Sequence, residues 1–482
     1  MPPAMNETLT RRDLTRKAIT TALASPLIPM ASAANPRPNI LLLHCHDLGQ
    51  HLHCYGVGGV QSPNLDRLAA EGVLFENHFS TAPQCSPSRS SIFTGRYPHN
   101  NGVMGLAHAE FAWELHPDEK HLGQILAAAG YATAGAGVIH ETHGGPARCG
   151  LAAYDAPAPA KEMADNVIAR LQSFAKNPDK PFYLQAGCIE PHRLGRPDKN
   201  ADQDFLGGRM QPDTSQGVTV PPYLRDTPGT REELAELQGA IRHMDAQMGR
   251  VLAAVKELGL ESNTLVIFTT DHGIAMPRAK CSLYEPGLRT AFILRYPGRT
   301  GWHGGVRHKN LVQNLDCLPT ILELAGLAVP AGVHGQSLAG LMEGRGYKGR
   351  AYKDRDRIFA EMTYHDYYDP RRSVRTATHK LIVNFSSAPA FMDPSQSWRP
   401  RADTVVPANH AMAYHPPFEL YDLEKDPWEQ KDVATDPAYA ATLRDLRASL
   451  AGQMQKTQDP ILQGAVTSPL HRKSQAWLLG KR

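Results

Sequence analysis

The chain has 482 residues, of which 41% are hydrophobic and 21% charged, with Lys+Arg 51 against Asp+Glu 48. That length exceeds one small domain and fits a large α/β domain with a smaller companion. The composition suits a soluble globular protein, and the near balance of charge excludes a nucleic-acid binder. The cysteines at 45, 54, 85, 149, 188, 281 and 317 contain no Cys-x-x-Cys pair, so spacing assigns no disulfide.

At the N-terminus, Thr10-Arg11-Arg12-Asp13-Leu14 precedes a mildly apolar run, Ala18 to Met30, and then Ala31-Ser32-Ala33-Ala34. This is the pattern of a twin-arginine export signal with a small-residue cleavage site. Residues 1–34 are therefore expected to be a signal peptide and the mature protein periplasmic or secreted; a disordered basic arm is the alternative. No other stretch is long and apolar enough to span a bilayer.

Asn39 to His44 (NILLLH) is a short apolar run suited to a buried parallel strand, and it ends on Cys45-His46-Asp47-Leu48-Gly49. Pro63 to Gly72 reads as a short helix with a glycine stop. Val73 to Phe79 leads into a dense stretch. There Cys85, Pro87, Ser88 and Arg89 form Cys-x-Pro-Ser-Arg, and Thr94-Gly95-Arg96 follows. Ser88 to Phe93 can open a helix, whose free N–H groups favour an anion, with Arg89 one turn along. Cys85 alone would read as a buried structural cysteine beside a proline turn. His99, Asn100 and Asn101 close the stretch.

Lys120 to Gly130 reads as a helix, and Tyr131 to Gly137 as a small-residue strand ending on Val138-Ile139-His140-Glu141. Lys161 to Ala175 is an amphipathic helix. Pro181 to Gly187 is a strand ending on Glu190-Pro191-His192-Arg193. Residues 194–230 are rich in Gly, Pro and Asp, a long loop suited to a lid or substrate rim. Thr230-x-x-Glu233 reads as a capping box opening a helix whose apolar stripe runs from Leu234 to Leu258.

Thr264 to Thr270 (TLVIFTT) is another strand and leads into Asp271-His272-Gly273. Two strands thus each end in a His/Asp pair. Ligands gather at the carboxyl ends of an open parallel sheet, so four ligand-type side chains are expected at one edge; helix capping by the aspartates is the alternative. Lys280-x-x-x-Tyr284-Glu285 follows, then a strand at Phe292 to Tyr296 and a helix at Asn314 to Gly326. From about Gly344 the character changes. Short strands at 358–361, 373–376, 380–384 and 419–422 and a closing helix at 438–454 suggest a separate antiparallel unit, giving domains of 35–350 and 351–482.

The run from Cys85 to Arg96 resembles the signature of the type I, formylglycine-dependent sulfatases. Asp47-x-Gly49, Gly137-x-x-His140, Pro191-His192, Asp271-His272, Lys280-x-x-x-Tyr284-Glu285 and Glu419-Leu420-Tyr421-Asp422 through Pro427 resemble further motifs of that family, over about residues 35 to 460. The spacing is most similar to that of heparan N-sulfatase (sulfamidase) members.

The resemblance implies an alkaline-phosphatase-like α/β fold: a mixed, mostly parallel sheet flanked by helices, with a smaller C-terminal antiparallel α+β domain. It implies that a maturation enzyme oxidises Cys85 to formylglycine, whose hydrate is the nucleophile. The metal set implied is His46, Asp47, residue 85, Asp271 and His272. Calcium is the family's usual ion, and the two histidines bring Mn2+ or Zn2+ into range. Arg89 would hold the diol or a nearby carboxylate, His140 would deprotonate the diol, and His192 and Lys280 would contact sulfate and help protonate the leaving group. The implied substrate is a sulfated carbohydrate, N-sulfoglucosamine or an O-sulfated sugar, with His365 and Arg375 as candidate sugar contacts. The oligomeric state is open. Two positions depart from the family pattern: His46 stands for an aspartate, and Val138 for a lysine. The other readings are a phosphodiester or phosphonate monoester hydrolase on the same fold, and a sulfated-glycan-binding protein that has lost catalysis.

Overall fold

Strand β1 (Asn39–Cys45) is buried at every position, which explains a run with no polar alternation. In this computed structural model, residues 1, 37–195, 203–344, 352–387, 401–406 and 414–481 are described. The expected export signal, the inter-domain boundary and part of the expected lid lie outside them. Among the described residues no helix is long and apolar enough to cross a membrane.

The main sheet has eight strands. In chain order after β1 they are β2 (Val73–Phe75), β3 (Ala132–Gly137), β4 (Ala153–Asp155), β5 (Phe182–Gly187), β6 (Thr264–Thr270), β7 (Phe292–Arg295) and β8 (Val306–His308). Their order across the sheet is β8-β2-β7-β6-β1-β5-β3-β4. The block β6-β1-β5-β3-β4 is parallel, and β7 runs antiparallel to both β6 and β2.

Side-chain alternation along β1 feeds two cores. Leu41, Leu43 and Cys45 face α1 (Pro63–Glu71), α4 (Ala160–Ala175) and the long α5 (Pro228–Glu257). Ile40 and Leu42 face α2 (Cys85–Thr94), α3 (Leu122–Ala128) and α6 (Cys317–Leu324). All seven cysteines are free, and Cys45 and Cys188 are core residues as their apolar runs suggest.

Two helix starts differ from expectation. α2 begins at Cys85, three residues before the expected Ser88, so the signature cysteine occupies its first turn. α5 begins at Pro228, with Thr227 as the N-cap accepting from the Thr230 N–H. Thr230 is therefore interior, and Glu233 pairs with Arg193 at 2.8 Å instead of closing a capping box. A proline pre-set for the first helical position won over the Thr-x-x-Glu pattern.

The second sheet is antiparallel, β9 (Arg357–Tyr364), β10 (Tyr368–Thr376), β11 (His379–Asn384) and β12 (Phe418–Asp422), in sequence order. Helix α7 (Ala440–Lys456) packs Leu446, Leu450 and Met454 against it. A terminal helix, α8 (Pro469–Leu478), was not foreseen; none of its residues is buried. Buried charges tie this sheet to the loop after β6. Glu285 accepts from Arg375 (3.2 and 3.1 Å) and pairs with Lys380 at 2.8 Å, and Lys380 also reaches Glu429 at 2.8 Å. Arg375 is thus a buried ion-pair partner stacked 4.7 Å over Phe79, not an exposed sugar contact. His365 is also buried, with Asp366 3.5 Å from its Nδ1.

Candidate active site

The parallel pairing of β1 and β6 places Cys45 opposite Thr270, so the next residues of both strands emerge side by side. Asp47 then turns sharply, with φ 50. Its N–H donates to Asp271 Oδ1 at 3.0 Å, and Gly49 N–H donates to His272 O at 2.8 Å. Metal-type donor atoms of His46, Asp47, Cys85 and Asp271 all lie within 4.8 Å of one another, and all four residues are buried. His272 joins them, with Nε2 3.2 Å from Asp47 Oδ1 and 3.3 Å from Cys85 Sγ. Its Nδ1 bonds Gly273 O at 2.9 Å, which fixes the tautomer and leaves the Nε2 lone pair facing the cluster.

The donor set fits a divalent cation. His46 Nδ1 and Asp47 Oδ1 are buried without a hydrogen-bond partner, and leaving such atoms unsatisfied is costly. Two carboxylates and two imidazoles could satisfy both the charge and the coordination of such an ion.

Arg89 underlies this cluster. Its Nε donates to Asp271 Oδ2 at 3.1 Å, its Nη2 to Cys45 O at 2.9 Å, and its Nη1 lies 2.6 Å from His44 Nδ1. Burial and the Arg89 cation drive His44 well below the usual imidazole range, so it accepts as a neutral ring. Ser88 donates to Asp271 O, and Asn314 holds Ser88 Oγ at 2.9 Å. Ser88 belongs to the Cys-x-Pro-Ser-Arg signature, but His44 and Asn314 carry no motif in the sequence. His44 is hidden as the last residue of an apolar strand, and Asn314 lies 226 positions from Ser88.

Lys280 is buried and donates to Asp47 Oδ2 at 2.8 Å. Burial works against its cation, but Asp47 more than offsets this and holds it protonated. Burial would also raise Asp47; the Lys280 cation beside it outweighs that and keeps it a carboxylate. His192 Nδ1 bonds Arg193 O at 2.6 Å, which leaves Nε2 to accept from Lys280 at 3.2 Å. Burial holds this ring neutral, with a pKa down at about 3.

His140 follows β3, and one of its ring nitrogens lies within 4.8 Å of both Cys85 Sγ and a His46 nitrogen. Its Nε2 bonds His108 Nδ1, and its Nδ1 is buried and unpartnered. Its N–H donates to Glu141 Oε2 at 2.8 Å. Glu141 in turn accepts from Gln185 at 2.7 Å and lies 3.3 Å from His121 Nε2. Val138 contributes no charge; its N–H simply continues the ladder to Gly187 O. His108 and Glu141 carried no motif that would have marked them.

Burial pushes the Cys85 thiol up to about 12, with Lys280 offsetting only part of the effect. An unmodified thiol there is a weak nucleophile at neutral pH. All nine site residues expected from the sequence therefore converge on one edge of the sheet: His46, Asp47, Cys85, Arg89, His140, His192, Asp271, His272 and Lys280. Among the described residues two other donor clusters lie elsewhere, the buried His121–Glu141–Cys149 and His99–Glu361–Asp459 with His99 half-buried; in the second, Arg372 takes both Asp459 oxygens.

Comparison with known proteins gives the following. The Sulfatase family matches residues 38–327, and the C-terminal family of N-sulphoglucosamine sulphohydrolase matches 277–393. Human N-sulphoglucosamine sulphohydrolase is 29% identical over 471 residues, covering 89% of this chain and 91% of its own. Among solved structures, a 2-O GAG sulfatase superposes with a TM-score of 0.67 at 24% identity, covering 90% of this chain and 95% of its own. A phosphonate monoester hydrolase from Silicibacter pomeroyi superposes at 0.60 and 20% identity, covering 87% and 96%. At these identities the structures establish a shared fold.

Proposed function

Because the chain belongs to the sulfatase family, we propose that it removes sulfate from a sulfated carbohydrate, N-sulfoglucosamine or an O-sulfated sugar, using formylglycine made from Cys85. The observation that carries this reading is the convergence of Cys85 with His46, Asp47 and Asp271 within 4.8 Å at the first turn of α2.

His46, Asp47, Asp271 and His272 would hold the divalent ion, which supplies positive charge to the sulfate oxygens and lowers the pKa of a nearby hydroxyl. Oxygen ligands alone suit calcium; two imidazole nitrogens move the expectation toward Mn2+ or Zn2+. Once formed, formylglycine hydrate offers two hydroxyls, one to attack sulfur and one to release it. Lys280, kept cationic by Asp47 and donating to the neutral His192 at 3.2 Å, would hold a sulfate oxygen and supply a proton to the leaving atom. His140, with one ring nitrogen within 4.8 Å of Cys85 Sγ and its Nδ1 unpartnered, would accept the hydroxyl proton that re-forms the aldehyde. Arg89 would anchor Asp271 beneath the nucleophile.

Cys85 is only 2% exposed, so a maturation enzyme would have to act before the chain closes over it. Export by the twin-arginine route, which carries folded proteins, would then follow oxidation.

Peptide mass spectrometry across residue 85, in active protein from a host with the maturation enzyme, tests the reading. Aldehyde at 85 together with faster turnover of an aryl sulfate than of an aryl phosphodiester is expected; a plain thiol in fully active protein overturns it. The reverse substrate preference would favour the phosphonate-hydrolase alternative, whose fold this chain shares.

A further inference from the structure

Behind the metal-type cluster lies a separate cavity of about 440 Å3, within the range of roughly 300–1,000 Å3 usual for ligand sites. Its inner wall is the far side of the site's own turns: Leu48 and Gly49 follow Asp47, and Ile274 follows the Asp271–Gly273 run. Its outer wall is aromatic. Tyr223 and Trp428 lie with ring centroids 5.7 Å apart and planes tilted by 32°. The rings of Pro221 and Pro222 extend that wall.

Two polar side chains in this lining are left incomplete. His51 is 6% exposed, and its Nε2 is buried with no partner. Burial holds the ring neutral. Arg289 uses Nη2 on Glu76 O (2.9 Å) and Asn77 Oδ1 (3.2 Å), while its Nε is buried with no acceptor. Among the described residues no carboxylate lies within ion-pair distance of it. Glu285 also lines the cavity, but its oxygens are taken by Arg375 and Lys380.

A wholly apolar ligand would leave the cavity-lining Arg289 guanidinium with only Glu285 as counter-charge, which Arg375 and Lys380 already share, and that is costly. A bare inorganic anion would leave most of the volume and the aromatic wall unfilled. We propose that the cavity is a second, non-catalytic carbohydrate site taking one acidic pyranose unit, its C–H face against Trp428 and its carboxylate or sulfate on Arg289. The choice of a sugar rests on the glycan-sulfatase reading above.

The test is calorimetric titration of the full chain carrying Cys85→Ala, which removes turnover, with methyl β-glucuronide, glucose 6-sulfate, methyl β-glucoside and sodium sulfate. The two acidic sugars should bind about tenfold more tightly than the glucoside or sulfate. Trp428→Ala and, independently, Trp428→Phe should weaken binding, and Arg289→Gln should abolish the preference for charge; melting temperatures confirm folding. With Cys85 intact, Trp428→Ala should leave aryl sulfate turnover within about twofold. No binding, equal binding of glucoside, or saturation by sulfate alone overturns the proposal. So does acidic-sugar binding that survives the cavity substitutions but is lost with Lys280→Ala. Absence of sulfatase turnover with cavity binding intact would count against the catalytic reading alone.

Discussion

Arg89 and Asp271, 182 positions apart, meet at 3.1 Å with both side chains buried, and the same guanidinium also serves His44 and Cys45 O. Three separate guanidinium nitrogens make these contacts, and a lysine, whose donors all sit on one nitrogen, cannot span the same three acceptors. Arg89→Lys should therefore destabilise by about 3 kcal/mol, because Asp271 loses a buried partner. Urea unfolding followed by circular dichroism measures this, and metal content should fall with it. Wild-type stability in the lysine variant would mean the pair is dispensable.

The nitrogen donors of His46 and His272 should set metal preference. The double substitution His46→Asp with His272→Asn replaces imidazole by oxygen ligands, so affinity should move from Zn2+ or Mn2+ toward Ca2+ by about tenfold or more. Thermal-shift titration of metal-stripped protein with each ion reads this without reference to turnover.

Cys85→Ala should abolish sulfate-ester turnover, a loss of at least about 10³-fold, with no fall in melting temperature beyond that of one small core truncation. Residual activity near wild type would show that the reaction needs no group at 85.

Glu141 offers a pH test away from the metal-type cluster. Burial would raise its pKa; the His121 and Gln185 hydrogen bonds overcome this and bring it down to about 2. A depressed carboxylate stabilises the fold above its unfolded value and loses that contribution as pH falls through the folded value. Glu141→Gln should thus cost up to about 3 kcal/mol at pH 7. The gap to wild type should narrow below about pH 4.5 and close near pH 2. Parallel urea titrations at several pH values give the curve; a gap that widens in acid would contradict the assignment.

Gly273 lies where a Cβ would come within 1.8 Å of Pro286 O. That obstacle is backbone, so it cannot swing aside. Gly273→Ala should cost about 1–3 kcal/mol and displace Asp271 and His272. A crystal structure with both residues unmoved would refute this.

What could be read from the sequence followed from period and punctuation. Apolar runs without alternation, as at Asn39–His44 and Thr264–Thr270, announced buried parallel strands, and the residues ending them had to share an edge. The partners of those residues were not legible. His44, His108 and Asn314 acquire their neighbours only through tertiary approach, and no local spacing encodes a contact 226 positions away. Arg375 shows the same limit: the sequence offers it as a candidate sugar contact, whereas Glu285, 90 positions earlier, draws it inside. At Thr230 two local rules competed, and the proline at 228 decided the helix start.

The charge network between Glu285, Arg375, Lys380 and Glu429 has a bearing on how such enzymes can be recombined. A graft that exchanged the antiparallel sheet for one lacking Arg375 and Lys380 would strand two buried carboxylates, Glu285 on the loop that carries Lys280 and Glu429 beyond β12. Shuffling for new specificity must therefore move these four residues together, and the seam of any chimera belongs outside the segments that bear them.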